Sequence, residues 1–298
     1  MTKPFHLQQL LALHYVYPLP LNKLQYLLTN IQSLQYLQDI PPKVIAKIVG
    51  VTENKAQELI TNYERILNTS LLEFYKKHQI ITIPYTSELY PKSLFQLADP
   101  PTVLYAKGDV QLLAADRKIA CIGSRKATNY SMIGLQTILP PLIQHQYVIV
   151  SGLARGADTF AHEATIRNNG KTIAVLGHGF FHIYPKENRT IADHIATTHL
   201  LLSEYPPYIG PKKWHFPMRN RIISGLSDAL VVTEAALKSG TLITTEHALD
   251  HGKDVFVVPG PIHSEQSKGT NKLLKEGAIP VWNGHQIIEE LQMFQIKN

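Results

Sequence analysis

A single cysteine, Cys121, stands in a chain of 298 residues, so no disulfide can form within it and a reducing compartment is the expected setting. Its apolar neighbours mark it as a small buried hydrophobe rather than a reactive thiol. Charged residues are also scarce, at 17%, which argues against long disordered tails. No stretch approaches the ~20 apolar residues that a membrane helix needs. The start, Met1-Thr2-Lys3-Pro4-Phe5, lacks the basic segment and long apolar run of a secretion signal. Tandem repeats and low-complexity tracts are missing too. A cytoplasmic protein without a membrane association is expected.

What the chain does have is apolar content, 44%, enough for one large core and a smaller companion. Its formal charge of +6 permits an anionic partner without requiring one.

Two textures follow one another. Residues 1–78 read as helical: Leu7, Leu10, Leu11 and His14 fall on one face, and Leu24, Leu27, Leu28 and Ile31 repeat the pattern. Pro41 and Pro42 suit a first helical turn, Gly50 a helix stop and Thr52 an N-cap. Residues 48–52, followed by Ala56 and Ile60, have the outline of a helix-hairpin-helix, which can offer backbone N–H groups to a phosphate. Thr52 replaces the second glycine of that hairpin, and a bundle that packs or docks a protein is the reading these residues favour. After a proline-studded stretch at 80–108, β-branched apolar runs at 118–122, 147–150, 172–176, 200–203, 229–233, 254–258 and 279–282 alternate with helical stretches such as 158–168. That alternation predicts an α/β fold over residues 79–298. It should be an extended Rossmann-like, mostly parallel sheet with helices on both faces, preceded by a small all-helical domain.

In such sheets a ligand sits beyond the carboxyl ends of the strands. Gly123-Ser124-Arg125, Ser151-Gly152-Leu153-Ala154-Arg155-Gly156 and Gly177-His178-Gly179 each follow a strand. Lys238-Ser239-Gly240-Thr241 opens a helix, and Phe216-Pro217-Met218-Arg219-Asn220-Arg221 enters another. Glycine lets backbone N–H groups approach an anion, and a helix N-terminus adds partial positive charge. Ser124, Ser151, Ser239 and Thr241 add hydroxyls. Arg125, Arg155, Arg219 and Arg221 add planar guanidinium groups suited to phosphate oxygens. Taken singly, each loop reads as structural, and an arginine could pair with an internal Glu204 or Glu234. Five such loops on one rim point to several phosphates, hence to a polynucleotide backbone rather than a mononucleotide.

Neither a cofactor nor a metal site is expected. Gly170-Lys171-Thr172 mimics the end of a Walker A loop, but position 165 is Thr and a strand follows. Gly177-His178-Gly179 lacks the third glycine of a dinucleotide fingerprint, since position 182 is His. An alternative stays open. The Ser239-Gly240-Thr241 loop and Glu246 could belong to an enzyme or sensor for a small nucleotide, with Glu246 as acid or base.

The blocks at 123–125, 151–158 and 172–177 together resemble the DNA-processing protein A (DprA/Smf) family. So do Ile-Tyr-Pro-Lys-Glu-Asn-Arg at 183–189, Leu-Leu-Ser-Glu-Tyr-Pro-Pro at 201–207, Phe-Pro-Met-Arg-Asn-Arg-Ile-Ile-Ser-Gly-Leu-Ser at 216–227, Lys-Ser-Gly-Thr-Leu-Ile-Thr at 238–244 and Val-Pro-Gly at 258–260. Their order is kept across about 170 residues, and Tyr90-Pro91 and Asp99-Pro100-Pro101 extend it upstream. The resemblance implies an extended Rossmann fold after a SAM-like helical domain. It also implies single-stranded DNA binding, a homodimer, no enzymatic activity, and protection of incoming DNA with loading of the RecA recombinase in natural transformation. The family's phosphate-pocket positions fall on Gly123, Ser124, Arg125, Arg155, Arg219, Asn220, Arg221, Ser239 and Gly240. The loop chemistry adds Ser151, Gly152, Gly156 and Thr241, and Lys171 is a further candidate. His178 departs from the family, which has a small residue or cysteine there. The winged helix that ends many members is not expected after Trp282, where the residues suffice for one helix at 286–294.

Overall fold

A computed structural model describes residues 6–31, 33–250 and 252–297. Residues 1–5, read above for a secretion signal, lie outside it.

Five helices come first: α1 (Leu7–Val16), α2 (Leu21–Ile31), α3 (Pro42–Val49), α4 (Glu53–Leu67) and α5 (Leu71–Lys77). Their limits follow local chemistry. Pro42 sits in the first turn of α3, and Gly50 ends it in the left-handed conformation, φ +79°. The Thr52 hydroxyl accepts the Lys55 N–H and caps α4. Both hairpin amides, Gly50 N–H and Val51 N–H, donate to the Ala46 carbonyl, so neither is free for a phosphate.

Nine strands are described: β1 (Ile81–Pro84), β2 (Val103–Gly108), β3 (Lys118–Ile122), β4 (Val148–Ser151), β5 (Thr172–Leu176), β6 (Leu200–Ser203), β7 (Ala229–Val232), β8 (Asp254–Val257) and β9 (Ile279–Pro280). They form one sheet in the order β1-β2-β6-β5-β4-β3-β7-β8-β9. β2 runs antiparallel to both neighbours, and every other pair is parallel. The helices between them are α6 (Asn129–Gln144), α7 (Ala157–Arg167), α8 (Arg189–Thr198), α9 (His215–Leu226), α10 (Gly240–Asp250), α11 (Lys268–Lys275) and α12 (Gly284–Lys297). The chain leaves β3 in one direction toward β4 and returns on its other side as β7. A crevice therefore opens between the ends of β3 and β7, the switch point at which such sheets bind ligands.

Alternation along each strand sorts the core into two faces. Ala120, Ile122, Val150, Val175 and Val232 point one way, onto α9 and α10 through Ile222, Leu226 and Ala248. Ile119, Cys121, Ile149 and Val231 point the other way, onto α6, α7 and α12. On that second face, Val103, Tyr105, Leu176 and Leu201 are buried against Leu10, Leu24 and Tyr63 of the N-terminal helices. The N-terminal helices are thus part of one covering layer. Polar ties reinforce the contact. His14 Nδ1 lies 3.1 Å from the Tyr105 hydroxyl, and Leu21 N–H donates to the Pro100 carbonyl at 2.8 Å.

Candidate nucleic-acid interface

The loop after β3 is fixed from the far side of the crevice. Ser124 N–H donates to the Glu234 carbonyl at 2.7 Å. The buried Glu234 carboxylate accepts Thr128 N–H at 2.6 Å and the Thr128 hydroxyl at 3.0 Å. Its hydrogen bonds go to Thr128 rather than to an arginine. The Ser124 hydroxyl donates to Gln266 Oε1, so this buried serine serves the loop's own architecture. Arg125 is then thrown outward. Its guanidinium lies 5.0 Å from the centre of the Phe216 ring, a cation–π contact.

The loop after β4 is self-contained. The Ser151 hydroxyl donates to the Cys121 carbonyl at 2.6 Å, wholly buried. Gly156 has φ +74°, and a Cβ there would collide with the Ser124 carbonyl. Such a position admits glycine alone. The N-terminus of α7, which could have met a phosphate, already holds the buried Asp158 carboxylate, which accepts Ala154 N–H at 3.3 Å. Arg155 remains exposed and pairs with Glu187.

Sequence reasoning sets four arginines on the rim, and the structure separates them. Arg219 is buried and donates from Nη1 to the Gly152 and Val175 carbonyls, while its Nε donates to Asn220 Oδ1 at 3.1 Å. Burial lowers its pKa to about 10, against the opposing pull of Asp158. Gly152 is glycine because a Cβ would strike that guanidinium. Arg221 is buried too, paired with Glu204 and 3.2 Å from Asp99. Burial raises the Glu204 pKa, and the Arg221 charge opposes the rise. Neither guanidinium faces solvent, because α9 packs its inner side on the sheet and carries both residues inward.

Lys171 does not join the others at all. It precedes β5, at the opposite end of the sheet, and its Nζ donates to the Thr198 carbonyl at 3.2 Å. Thr241 is buried in the first turn of α10, while Gly240 is exposed there. The Ser239 Oγ is buried with no hydrogen-bond partner, and no acidic residue occupies the first turn of α10. Glu246 is exposed on α10.

Aromatic residues complete the rim, and charge-based reading passed over them. The Phe216 ring rests against Gly177 and beneath Arg125. Tyr184 is 46% exposed and tilts against Phe216 at 5.6 Å. Trp214 is 64% exposed at the start of α9, with Lys212 Nζ 5.4 Å from its ring. The exposure of these rings is not readable from spacing, and the approach of Phe216 to Gly177 appears only in the fold. Among the described residues, no group of three or more His, Cys, Asp or Glu could hold a metal ion.

The result is a rim with two exposed arginines, exposed aromatic faces and an open helix N-terminus, set where the sheet reverses its winding. Residues 79–292 match the family described as DNA recombination-mediator protein A. The chain belongs to that family. It is 47% identical over 221 residues to the DNA processing protein DprA of Bacillus subtilis, covering 74% of each chain. To the DNA processing protein DprA of Streptococcus pneumoniae it is 38% identical, over 83% of this chain and 93% of that one. The X-ray structure of DNA processing protein A from Streptococcus pneumoniae matches with a TM-score of 0.80 at 35% identity, covering 95% of this chain and 97% of the other. A structure of DNA processing protein A from Helicobacter pylori, described for its single-stranded DNA binding mode, matches with a TM-score of 0.66 at 36% identity. It covers 72% of this chain and 96% of its own. Membership of the DprA family carries a DNA-processing, recombination-mediator role, and it accounts for the mostly parallel Rossmann-like sheet. Among the described residues no helix is long and apolar enough to cross a membrane.

Proposed function

We propose that this DprA-family protein binds single-stranded DNA along the β3–β7 rim, without sequence preference, and acts by holding the strand rather than by catalysis. The observation that carries this is the stack of Arg125 on Phe216 beside the exposed Tyr184. Unpaired bases need aromatic or guanidinium faces, whereas the bases of a duplex are already stacked on one another. Phosphates then meet Arg125, Arg155 and the amides opening α10, with the unpartnered Ser239 hydroxyl beside them. In this reading Gly123, Gly152, Gly156, Ser124 and Ser151 shape the loops. Arg219, Asn220 and Arg221 brace α9, Arg219 adding its charge from beneath. Lys171 lies outside the strand's path.

The finer role we infer is the one that the family resemblance implies. The protein protects incoming strands and delivers them to RecA in natural transformation, as a cytoplasmic homodimer. Exposed Leu237, Ile243 and Leu249 in and beside α10, with Ile262 in the loop after β8, supply apolar surface for such protein partners.

Fluorescence anisotropy with oligo(dT) and with duplex DNA across a salt series tests the central claim. Binding to oligo(dT) should dominate. Its log–log salt slope should be about −0.7 for each phosphate contacted. Equal affinity for duplex, or binding indifferent to salt, would defeat the stacking rim.

A further inference from the structure

Tyr184 is the aromatic face furthest from regular structure, and one side chain holds its backbone. His178, the second residue after β5, is 1% exposed and lies beneath the loop that carries Tyr184. Its Nε2 is 3.3 Å from Tyr184 N and 3.4 Å from Tyr184 O, while its Nδ1 is 3.1 Å from the Gly179 carbonyl. In the neutral tautomer whose Nδ1–H donates to Gly179 O, Nε2 accepts Tyr184 N–H at 3.3 Å, and the longer 3.4 Å approach to Tyr184 O carries no proton. The rest of the loop is fastened to the segment after β6. Gly179 N–H donates to the Ile209 carbonyl at 2.8 Å, and Phe181 N–H to the Pro207 carbonyl at 2.9 Å. His178 is therefore the tie at the Tyr184 end.

We propose that His178 is a positioning residue for single-stranded DNA binding, its imidazole holding the Tyr184 backbone so that the Tyr184 ring stands beside Phe216. The idea rests on the rim being the strand-binding site. It has a consequence in acid. Burial lowers the His178 pKa from its ordinary 6.5; the hydrogen bonds to the Gly179 and Tyr184 backbone oppose that, and the Arg219 charge and His182 add to it. His215, on α9 with Arg219, faces the same ring. The imidazole is neutral at pH 7. A proton gained in acid would turn Nε2 from acceptor to donor, moving its tie from the Tyr184 N–H to the Tyr184 carbonyl and shifting the backbone it holds.

Four proteins test this: His178→Ala, His178→Gln, Tyr184→Ala and the double variant His178→Ala/Tyr184→Ala, with oligo(dT) affinity as the readout. His178→Ala should bind about fivefold more weakly, part of the ~1–3 kcal/mol that one stacked base contributes. His178→Gln keeps an acceptor that cannot titrate, so it should bind like the parent at pH 7 and lose less affinity in acid. In the Tyr184→Ala background, adding His178→Ala should change nothing, since the two act through one element. Parent-like affinity of His178→Ala, or an equal loss in both backgrounds, overturns the proposal. Hydrogen exchange at the Tyr184 amide decides the tie without DNA: it should be slow in the parent and fast in His178→Ala. Equal exchange in both overturns the tie. Failure of the parent to bind any oligonucleotide would instead overturn the strand-binding reading, leaving the exchange result to judge His178 alone.

Discussion

Arg125 and Arg221 show how one side-chain type does opposite work ninety-six positions apart. Arg125 is exposed and stacked, so its removal should act on DNA and little on folding. Arg125→Ala and Phe216→Ala are each expected to weaken oligo(dT) binding by roughly tenfold, within the ~1–3 kcal/mol of a base stack. Their thermal midpoints should stay near that of the parent, which calorimetry checks. Arg221 is sealed between Glu204 and Asp99. Removing it strands a buried carboxylate, so Arg221→Ala should cost about 3–5 kcal/mol of stability in denaturant melts. A stable Arg221→Ala protein that lost only DNA affinity would return that arginine to the rim. The sequence names an arginine's charge but not its burial. Glu204 was legible as a possible partner, and it is one. Glu234 was named beside it, yet its carboxylate holds Thr128 instead.

Elements were the most legible scale. The runs at 118–122, 172–176 and 200–203 end where β3, β5 and β6 end, and the remaining four match strands to within one or two residues. β-Branched runs buried on both faces leave little choice of structure. What could not be read was which layer each helix covers. An amphipathic stripe says that a face is buried, not against what. The stripes of α1, α2 and α4 predict a small helical domain but not its seat: Leu10, Leu24 and Tyr63 share a cluster with Val103 and Leu201 of the sheet. A shortened protein beginning near residue 79 would bare those strand residues and Tyr105. It should express as aggregate or bind a hydrophobic dye strongly, in contrast to the whole chain. A monodisperse, dye-silent fragment would show the helices to be dispensable for the core.

At the scale of the molecule, buried histidines set a limit in acid. His14 and His162 are enclosed, and burial lowers each pKa from 6.5 to about 3. A depressed histidine contributes stability that is complete above the unfolded value of 6.5 and is lost as pH falls toward the folded value. Each should remove roughly 1.4 kcal/mol per pH unit in that window. Urea midpoints should therefore fall steadily below about pH 6.5. A midpoint unchanged down to about pH 4.5 would mean that these rings do not stay neutral on folding.

The tie between Ser124 and Gln266 spans 142 positions, and Ile122 of β3 must wait for Val232 of β7. On the ribosome this becomes a matter of timing. The Arg125 loop emerges early but lacks both fasteners, Glu234 and Gln266, until residue 266 has been made. A chain that has not yet reached residue 266 lacks the tie that seats Ser124, so the proposed rim cannot be finished before that point.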